Sequence, residues 1–360
     1  MKKRNLIIIV IVALMGIAAL VVVLMRGQHS SFKQDYHIED VESITKIFMA
    51  DKSDNQVTLS RVEGDSTWLV DNKYEASQPM IDLLLETLHK MRVRQEVNKA
   101  AAPNISKALA SNHVKVEVYQ KVFLIDWFNH KVQLFSHEKR TATYFIGHET
   151  QDLVGTTCFR EGDKTPVIVY QPGFRGFIAP RFIANPLPWR SHKIVNLNVL
   201  DIERVELEIP AAPEESFAIC REGKGFFMEL LQNHQRTPGF DTAAVAQMLS
   251  SFTNLNFDEY AKAVPKIELD TTFSRTPRTI LRITDTKGET HELKTYLKYI
   301  NPDDIKNMPD TTMYQVFDMD RLYAVLDQKD TVLIQYFVFD NILKPASFFL
   351  GKRQAISPAK

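Results

Sequence analysis

The hydrophobic pattern of the chain begins with a continuous apolar run. Residues 6–25 are 20 positions without a charged side chain. Twenty helical residues rise about 30 Å, the thickness of the hydrocarbon core of a bilayer. A cleavable signal peptide has a shorter apolar region and a small-residue cleavage site, and this run has neither. We therefore predict a cytoplasmic tip and transmembrane anchor over residues 1–26, followed by a polar tether over 27–36.

Basic residues determine the predicted orientation of this anchor. Lys2, Lys3 and Arg4 precede the apolar run, whereas Arg26 and Lys33 follow it. The excess of positive charge before the run places the amino terminus in the cytoplasm. We expect a single-pass inner-membrane protein that contacts the lipid bilayer through Leu6 to Met25 and has its body in the periplasm.

Two amphipathic helices in the body follow one plan. Ser77 is the candidate N-cap of the first helix and Asp241 that of the second. Apolar residues then recur at helical spacing. The two stripes are Ile81, Leu84, Leu85, Leu88 and Met91, and Val245, Met248, Leu249, Phe252 and Leu255. Both the caps and the stripes are 164 residues apart, which indicates an internal repeat.

Strand patterns accompany both helices. Residues 40–44 resemble 201–205, and 56–64 resemble 216–223. Further strands are predicted at 114–119, 131–135, 143–147, 167–171, 279–285, 289–297 and 331–339, with a short helix at 321–326. The distance in sequence between equivalent residues of the two copies falls to about 152 at Tyr144 and Tyr296, because the first copy carries insertions such as residues 124–130.

These elements predict an α+β fold with two tandem related lobes, each an antiparallel sheet packed with one main helix. The first lobe covers residues 37–171 and the second 194–350. A linker rich in proline and aromatic residues, 172–193, joins them, and 351–360 form a tail.

Composition and charge then narrow the classes of partner. The chain is 44% apolar and 24% charged, which is typical of a folded protein. Its formal net charge is zero, and it lacks the basic stripe of a nucleic-acid binder, so we expect no nucleic-acid partner. Cys158 and Cys220 fit neither a zinc nor a redox motif. Whether they pair is open, and two buried free thiols are favoured.

Catalytic and metal-binding patterns match only in part. Ser43, Lys46 and Ser53–Asn55 imitate serine penicillin-binding enzymes, but they fall in a strand pattern and a turn rather than at a helix start. Asp51 opens a calcium-like pattern that lacks the required glycine and final glutamate. The nearest approach to a histidine cluster is His130, His137 and His148, without a metal-binding spacing. We expect no catalytic residue, cofactor or metal.

The linker concentrates aromatic and arginine side chains, which protein interfaces favour. The candidate interaction surface consists of Phe174, Arg175, Phe177, Arg181, Phe182, Trp189 and Arg190. The alternative, which we favour, is that these side chains pack between the lobes and fix their angle.

Several motifs together resemble a known family. They are Ile38, Val41 and Ile44, the stretch from Arg61 to Val70, the helix at 77–92, Tyr144 to Gly147, and Trp189 to Ile194 leading to Asp201. The chain resembles a membrane-anchored bacterial family of unknown function, common in Bacteroidetes, with a repeated α+β domain. The resemblance covers roughly residues 36–340 and implies relatives beside ABC-transporter and gliding-type genes. The region 114–147 is longer than is usual in that family.

Two classes of function follow. We expect an extracytoplasmic binding or scaffold protein that contacts an envelope protein and acts as an accessory to a transporter complex. The alternative is an envelope hydrolase or carbohydrate-acting enzyme with a carboxylate pair. Two carboxylates facing each other across a deep pocket would favour the alternative, and a shallow surface would favour the binding protein.

Overall fold

The structure is a computed structural model that describes residues 15–16, 36–127, 132–300 and 317–351. The chain divides into two compact units, Met1–Ser191 and His192–Lys360. In the described residues each unit contains one nine-stranded antiparallel sheet.

Within residues 36–127 and 132–191, the first unit combines nine strands with two helices. The strands are β1 (Ile44–Ala50), β2 (Gln56–Arg61), β3 (Trp68–Val70), β4 (Tyr74–Glu75), β5 (Arg92–Glu96), β6 (Val114–Trp127), β7 (Val132–Glu149), β8 (Thr156–Arg160) and β9 (Val167–Tyr170). The helices are α1 (Gln78–Lys90) and α2 (Ala102–Ser111). The order across the sheet is β4-β3-β2-β1-β6-β7-β8-β9-β5.

The second unit has the following elements. Its strands are β10 (Lys193–Val195), β11 (Ile202–Glu208), β12 (Phe217–Glu222), β13 (Gly225–Leu230), β14 (Gln235–Arg236), β15 (Leu255–Asn256), β16 (Glu259–Tyr260), β17 (Thr279–Asp285), β18 (Thr290–Tyr299), β19 (Phe317–Leu326) and β20 (Asp330–Gln335). Its helices are α3 (Thr242–Ser250), α4 (Lys266–Phe273), α5 (Tyr336–Phe339) and α6 (Ala346–Leu350). The sheet order is β14-β13-β12-β11-β17-β18-β19-β20-β16, while β10 pairs with β15.

The two large sheets have the same strand order, position by position, so they carry one topology twice. The first strands of the two sheets also share a register shift, between Ile44 and Lys46 in β1 and between Ile202 and Arg204 in β11. This shift aligns Ile44 with Ile202, three residues before the Val205 chosen from sequence. The buried positions follow the structural alignment, because inward-facing residues must meet the core in both strands.

Each unit buries one face of its sheet under one amphipathic helix. Every residue of the two predicted apolar stripes is buried, and all of them belong to the two main core clusters. The predicted N-caps are confirmed as well. The Asp241 carboxylate accepts hydrogen bonds from the backbone N–H groups of Ala243 and Ala244, whereas Ser77 makes no side-chain cap hydrogen bond.

The predicted α+β class is wrong, because strands make up most of the regular structure in the described chain. The apolar spacing of residues 321–326 suggested a helix, but this segment belongs to strand β19. Pairing of β19 with both β18 and β20 satisfies its backbone. Conversely, the predicted strand 331–339 ends at Gln335 and continues as helix α5. Tertiary pairing overrides local preference in these cases.

The predicted transmembrane anchor is contradicted as well. None of the helices in the described part of the chain is long and apolar enough to cross a membrane. A crossing needs about 20 apolar helical residues, while α1, the longest helix described, has 13 and is amphipathic. The structure therefore does not support the predicted placement in the inner membrane with a periplasmic body. The run Leu6–Met25 lies outside the described residues, except for Met15 and Gly16.

The packing of α1 predicts a position-dependent loss of stability. Leu88 is fully buried, whereas Glu86, on the other side of the same helix, is exposed. We expect Leu88→Ala to lower the free energy of unfolding by about 2–5 kcal/mol, because it leaves a cavity. The matched control Glu86→Ala removes only a surface pair with Lys90 and should cost about 0.5 kcal/mol or less.

Urea denaturation followed by tryptophan fluorescence provides the measurement. All three tryptophans, Trp68, Trp127 and Trp189, precede Ser191, so this signal reports the first unit alone. Equal losses in the two variants would contradict the assignment of Leu88 to the core.

Candidate functional site: a hairpin arm and the cleft at its base

The hairpin of β6 and β7 is longer in the first unit than its counterpart in the second. Gln120 pairs with Ile44 at the position where Asp285 pairs with Ile202. In the second unit a tight turn begins directly after Asp285, with the Gly288 backbone N–H bonded to the Asp285 carbonyl. In the first unit β6 and β7 instead continue as a two-stranded ribbon. We call residues 121–139 the arm.

The arm shows that two strands predicted separately, 131–135 and 143–147, belong to the single strand β7. The polar residues between them suggested a break. Pairing with β6 keeps them extended, as in the pairs Lys121 with Glu138 and Phe123 with Ser136. Sequence periodicity could not show this, because the ribbon is exposed and needs no alternation.

Apolar side chains are concentrated toward the far end of the arm. They are Val122, Phe123, Leu124 and Ile125 on β6, and Leu134 and Phe135 on β7. Leu124 is 74% exposed, Leu134 49% and Phe135 69%. Residues 128–131 lie outside the described chain. An exposed apolar group of this kind marks an interaction surface.

Polar contacts attach the base of the arm to the sheet. The backbone N–H of Lys121 donates to the carbonyl of Ser43 at 2.8 Å. The Glu138 carboxylate accepts hydrogen bonds from the Lys46 ammonium and from the Thr45 hydroxyl, the latter at 2.7 Å. The base of the arm is therefore fixed in place, whereas none of the described residues of its far end belongs to the core cluster of this unit.

A cleft of about 830 Å³ lies beside this base. Its walls are the arm, the start of β1, the turn between β2 and β3, and one side of α1. The charged residues in the lining are Glu42, Glu63, Asp65, Asp82, Glu138, Lys46, Arg61 and Lys121. Ion pairs of Lys46 with Glu138 and of Arg61 with Glu42 occupy several of these groups. The cleft is a polar surface whose charges largely satisfy each other.

Two carboxyl groups of the cleft, those of Glu138 and Asp65, have a lowered pKa. The hydrogen bond from Lys46 is the main reason that the pKa of Glu138 is lowered, and Thr45 adds to it. The Thr67 hydroxyl and backbone N–H groups lower the pKa of Asp65. Every described carboxyl group whose pKa departs from its ordinary value has it lowered. A glycosidase acid needs the opposite shift.

One wall of the cleft contains an arginine contact that occurs in both units. The Arg61 guanidinium lies 5.3 Å from the Trp68 ring and donates to the Glu42 carbonyl at 2.7 Å. In the second unit, the Arg221 guanidinium lies 5.1 Å from the Phe226 ring and donates to the Val199 carbonyl at 2.8 Å. Both arginines join a strand pair to the segment before the first strand, so we assign Arg61 a structural role.

The aromatic and basic segment predicted as an interaction surface packs largely onto the first unit. Phe182 and Trp189 are core residues, and Arg190 is buried with its guanidinium 3.7 Å from the Tyr74 ring. Arg181 donates to Thr87 at 2.8 Å. The remaining three differ: Phe174 and Arg175 are exposed, and Phe177 is half-buried. The buried members cannot reach a partner while the unit is folded.

The described residues considered for other chemistry have local structural roles, and His130 lies outside the described residues. Ser53 and Asn55 form the β1–β2 turn, where their backbone N–H groups donate to the Asp51 carboxylate. Cys158 and Cys220 are both free and buried. Within the described residues, no group of three or more histidine, cysteine, aspartate or glutamate side chains could hold a metal ion.

Three comparisons with known proteins bear on the identity of the chain. It matches none of the protein-family models, curated proteins or solved structures with which it was compared.

The lowered pKa of Glu138 predicts how the stability of the fold depends on pH. A carboxyl group with a lower pKa in the folded chain stabilises the fold above its unfolded pKa, and this contribution is lost as pH falls through the folded pKa. Lys46→Met should raise the folded pKa of Glu138, as measured by carbon-13 NMR titration of the carboxyl group.

Lys121→Met provides the control for this titration, because Lys121 lies on the arm but pairs with Glu63 at 3.9 Å instead. It should change the pKa of Glu138 less than Lys46→Met does, because Lys121 is opposite Glu138 in the ribbon but makes no hydrogen bond to its carboxylate. An unaltered Glu138 titration in Lys46→Met would show that this ion pair does not hold the base of the arm.

Proposed function

We propose that this chain is a protein-binding module that contacts its partner through the arm. The observation that carries the proposal is the exposure of Leu124, Leu134 and Phe135 on a ribbon that extends beyond its neighbouring strands. Water disfavours such a surface, and a two-stranded ribbon alone is only marginally stable. A partner with an apolar groove would remove these side chains from water.

The size of this apolar surface limits the binding affinity that it can provide alone. Burying three large apolar side chains contributes roughly 5–9 kcal/mol. Association itself costs about 4–15 kcal/mol in lost freedom of motion. The far end of the arm therefore supports weak binding, and tighter binding requires further contacts, which the polar cleft beside its base can supply.

The backbone of the arm offers a second kind of contact. In the described chain, β1 pairs with β6 only as far as Gln120, and β8 pairs with β7 only from Tyr144 onward. Between these limits the ribbon has no third strand. An extended segment of a partner can add to such an edge through main-chain hydrogen bonds. The proposal thus combines side-chain anchoring with strand addition.

The family resemblance and the transporter association that it implies stay predictions. The proposal does not depend on them, because it rests on the exposed side chains of the arm. The hydrolase alternative gains no support from the lowered pKa values in the cleft.

Cross-linking followed by mass spectrometry tests the proposal. The tagged full-length chain is expressed in its own cells as wild type and as the double variant Leu124→Ser, Phe135→Ser. We expect the variant to lose at least about tenfold in recovery of the specific partner, since binding loses two apolar anchors. Its stability should change by about 0.5 kcal/mol or less, because both side chains lie outside the core.

Two matched controls remove exposed apolar side chains elsewhere in the first unit. Leu153 is 56% exposed and Phe174 is 37% exposed. Leu153→Ser and Phe174→Ser should recover the partner as well as wild type does. If Phe174→Ser loses the partner and the arm variant retains it, the segment 172–191 rather than the arm is the interface.

A further inference from the structure

The second unit contains a separate cleft of about 590 Å³. It lies where the segment after α4 approaches the end of β18 and the residues that follow β11. Its apolar walls include Pro210, Pro277, Tyr296 and Leu297. This volume is within the range of about 300–1,000 Å³ that is usual for small-molecule sites.

Two arginines at this cleft, Arg275 and Arg278, differ from the other described arginines of the unit in their ion pairing. Neither Arg275 nor Arg278 has a carboxylate within ion-pair distance in the described chain. The others all form ion pairs with carboxylates, namely Arg204, Arg221, Arg236, Arg282 and Arg321. Within the described residues, no carboxylate therefore compensates the charge of these two guanidinium groups at the cleft.

Aromatic contacts hold these two arginines in position. The Arg275 guanidinium lies 4.1 Å from the centre of the Tyr299 ring. Arg278 donates a hydrogen bond to the Tyr336 hydroxyl at 3.1 Å. Such contacts order the guanidinium groups without neutralising them, and they leave N–H donors for an anion.

Three acidic side chains of neighbouring segments already have other partners. Asp318 pairs with Lys298 at 2.6 Å, and Glu208 pairs with Arg282 at 3.1 Å. Glu268 accepts a hydrogen bond from the Tyr323 hydroxyl at 2.8 Å. The positive charge at the cleft is thus not offset by these neighbours.

We propose that this cleft binds a small organic anion that joins one carboxylate to an apolar body. The carboxylate would accept hydrogen bonds from Arg275 and Arg278, and the apolar body would lie against Pro277, Tyr296 and Leu297. This site is in the second unit and shares no residue with the arm, so it can be tested independently of the proposed protein binding.

Isothermal titration calorimetry on the full-length protein tests the site with a matched pair of probes. 4-Phenylbutyrate carries the carboxylate and an apolar body, and 4-phenylbutan-1-ol has the same body without the charge. We expect phenylbutyrate to bind about tenfold or more tightly than the alcohol, since charge-assisted hydrogen bonds are strong. Added salt should weaken phenylbutyrate binding.

The double variant Arg275→Gln, Arg278→Gln should lose about tenfold or more in phenylbutyrate affinity. Arg236→Gln is the control, because Arg236 is also exposed and stacks on an aromatic ring, but it is paired with Glu222. It should bind phenylbutyrate like wild type. Absence of binding, equal affinity for acid and alcohol, equal competition by inorganic phosphate, or an equal loss in both variants would each overturn the proposal.

Discussion

Each unit depends on the packing of one amphipathic helix against one face of a nine-stranded sheet. In the first unit, Ile81, Leu84 and Leu88 meet the inward-facing side chains of the central strands. In the second, Val245, Met248 and Phe252 occupy the same positions 164 residues later. Burial of each such side chain contributes about 1.5–3 kcal/mol. The same strand order and the same buried apolar helix face therefore occur in both units.

This packing explains where the units can differ. The hairpin of β6 and β7 leaves the sheet after Gln120, beyond the reach of the helix, so its length has no consequence for the core. The second unit closes the same hairpin with a turn after Asp285. An added ribbon with Leu124 and Phe135 exposed costs the fold little and presents an apolar surface to a partner. Loops and extensions held on a rigid sheet commonly carry function.

The sequence predicted what short-range periodicity encodes. The helical stripes and the caps Ser77 and Asp241 were identified correctly, because both are local signals. Residues 321–326 were assigned to a helix, since apolar spacing in a short segment does not distinguish a helix from a strand paired on both sides. The α+β class is wrong because local hydrophobicity does not determine which strands pair. The predicted anchor is contradicted because none of the described helices is long and apolar enough to cross a membrane.

The candidate sites depend on tertiary contacts and were harder to predict. Trp189 and Arg190 suggested an interface by their residue type, but the fold buries both. The sequence indicates that the region 114–147 is longer than is usual in the family that the chain resembles, but it does not predict that β7 continues through the polar residues of this region. Arg275 and Arg278 gave no sequence signal, because an unpaired charge is visible only once the partners of all neighbouring carboxylates are known.

The central claim, that the arm is the surface that meets a partner, is tested most directly by site-specific photocrosslinking. Benzoylphenylalanine is placed at Leu124 in the full-length chain, and separately at Leu153, an exposed position away from the arm. Irradiation in the protein's own cells should give one discrete cross-linked protein from position 124 and none from position 153. Cross-linking to the same protein from both positions, or from 153 alone, would contradict the account.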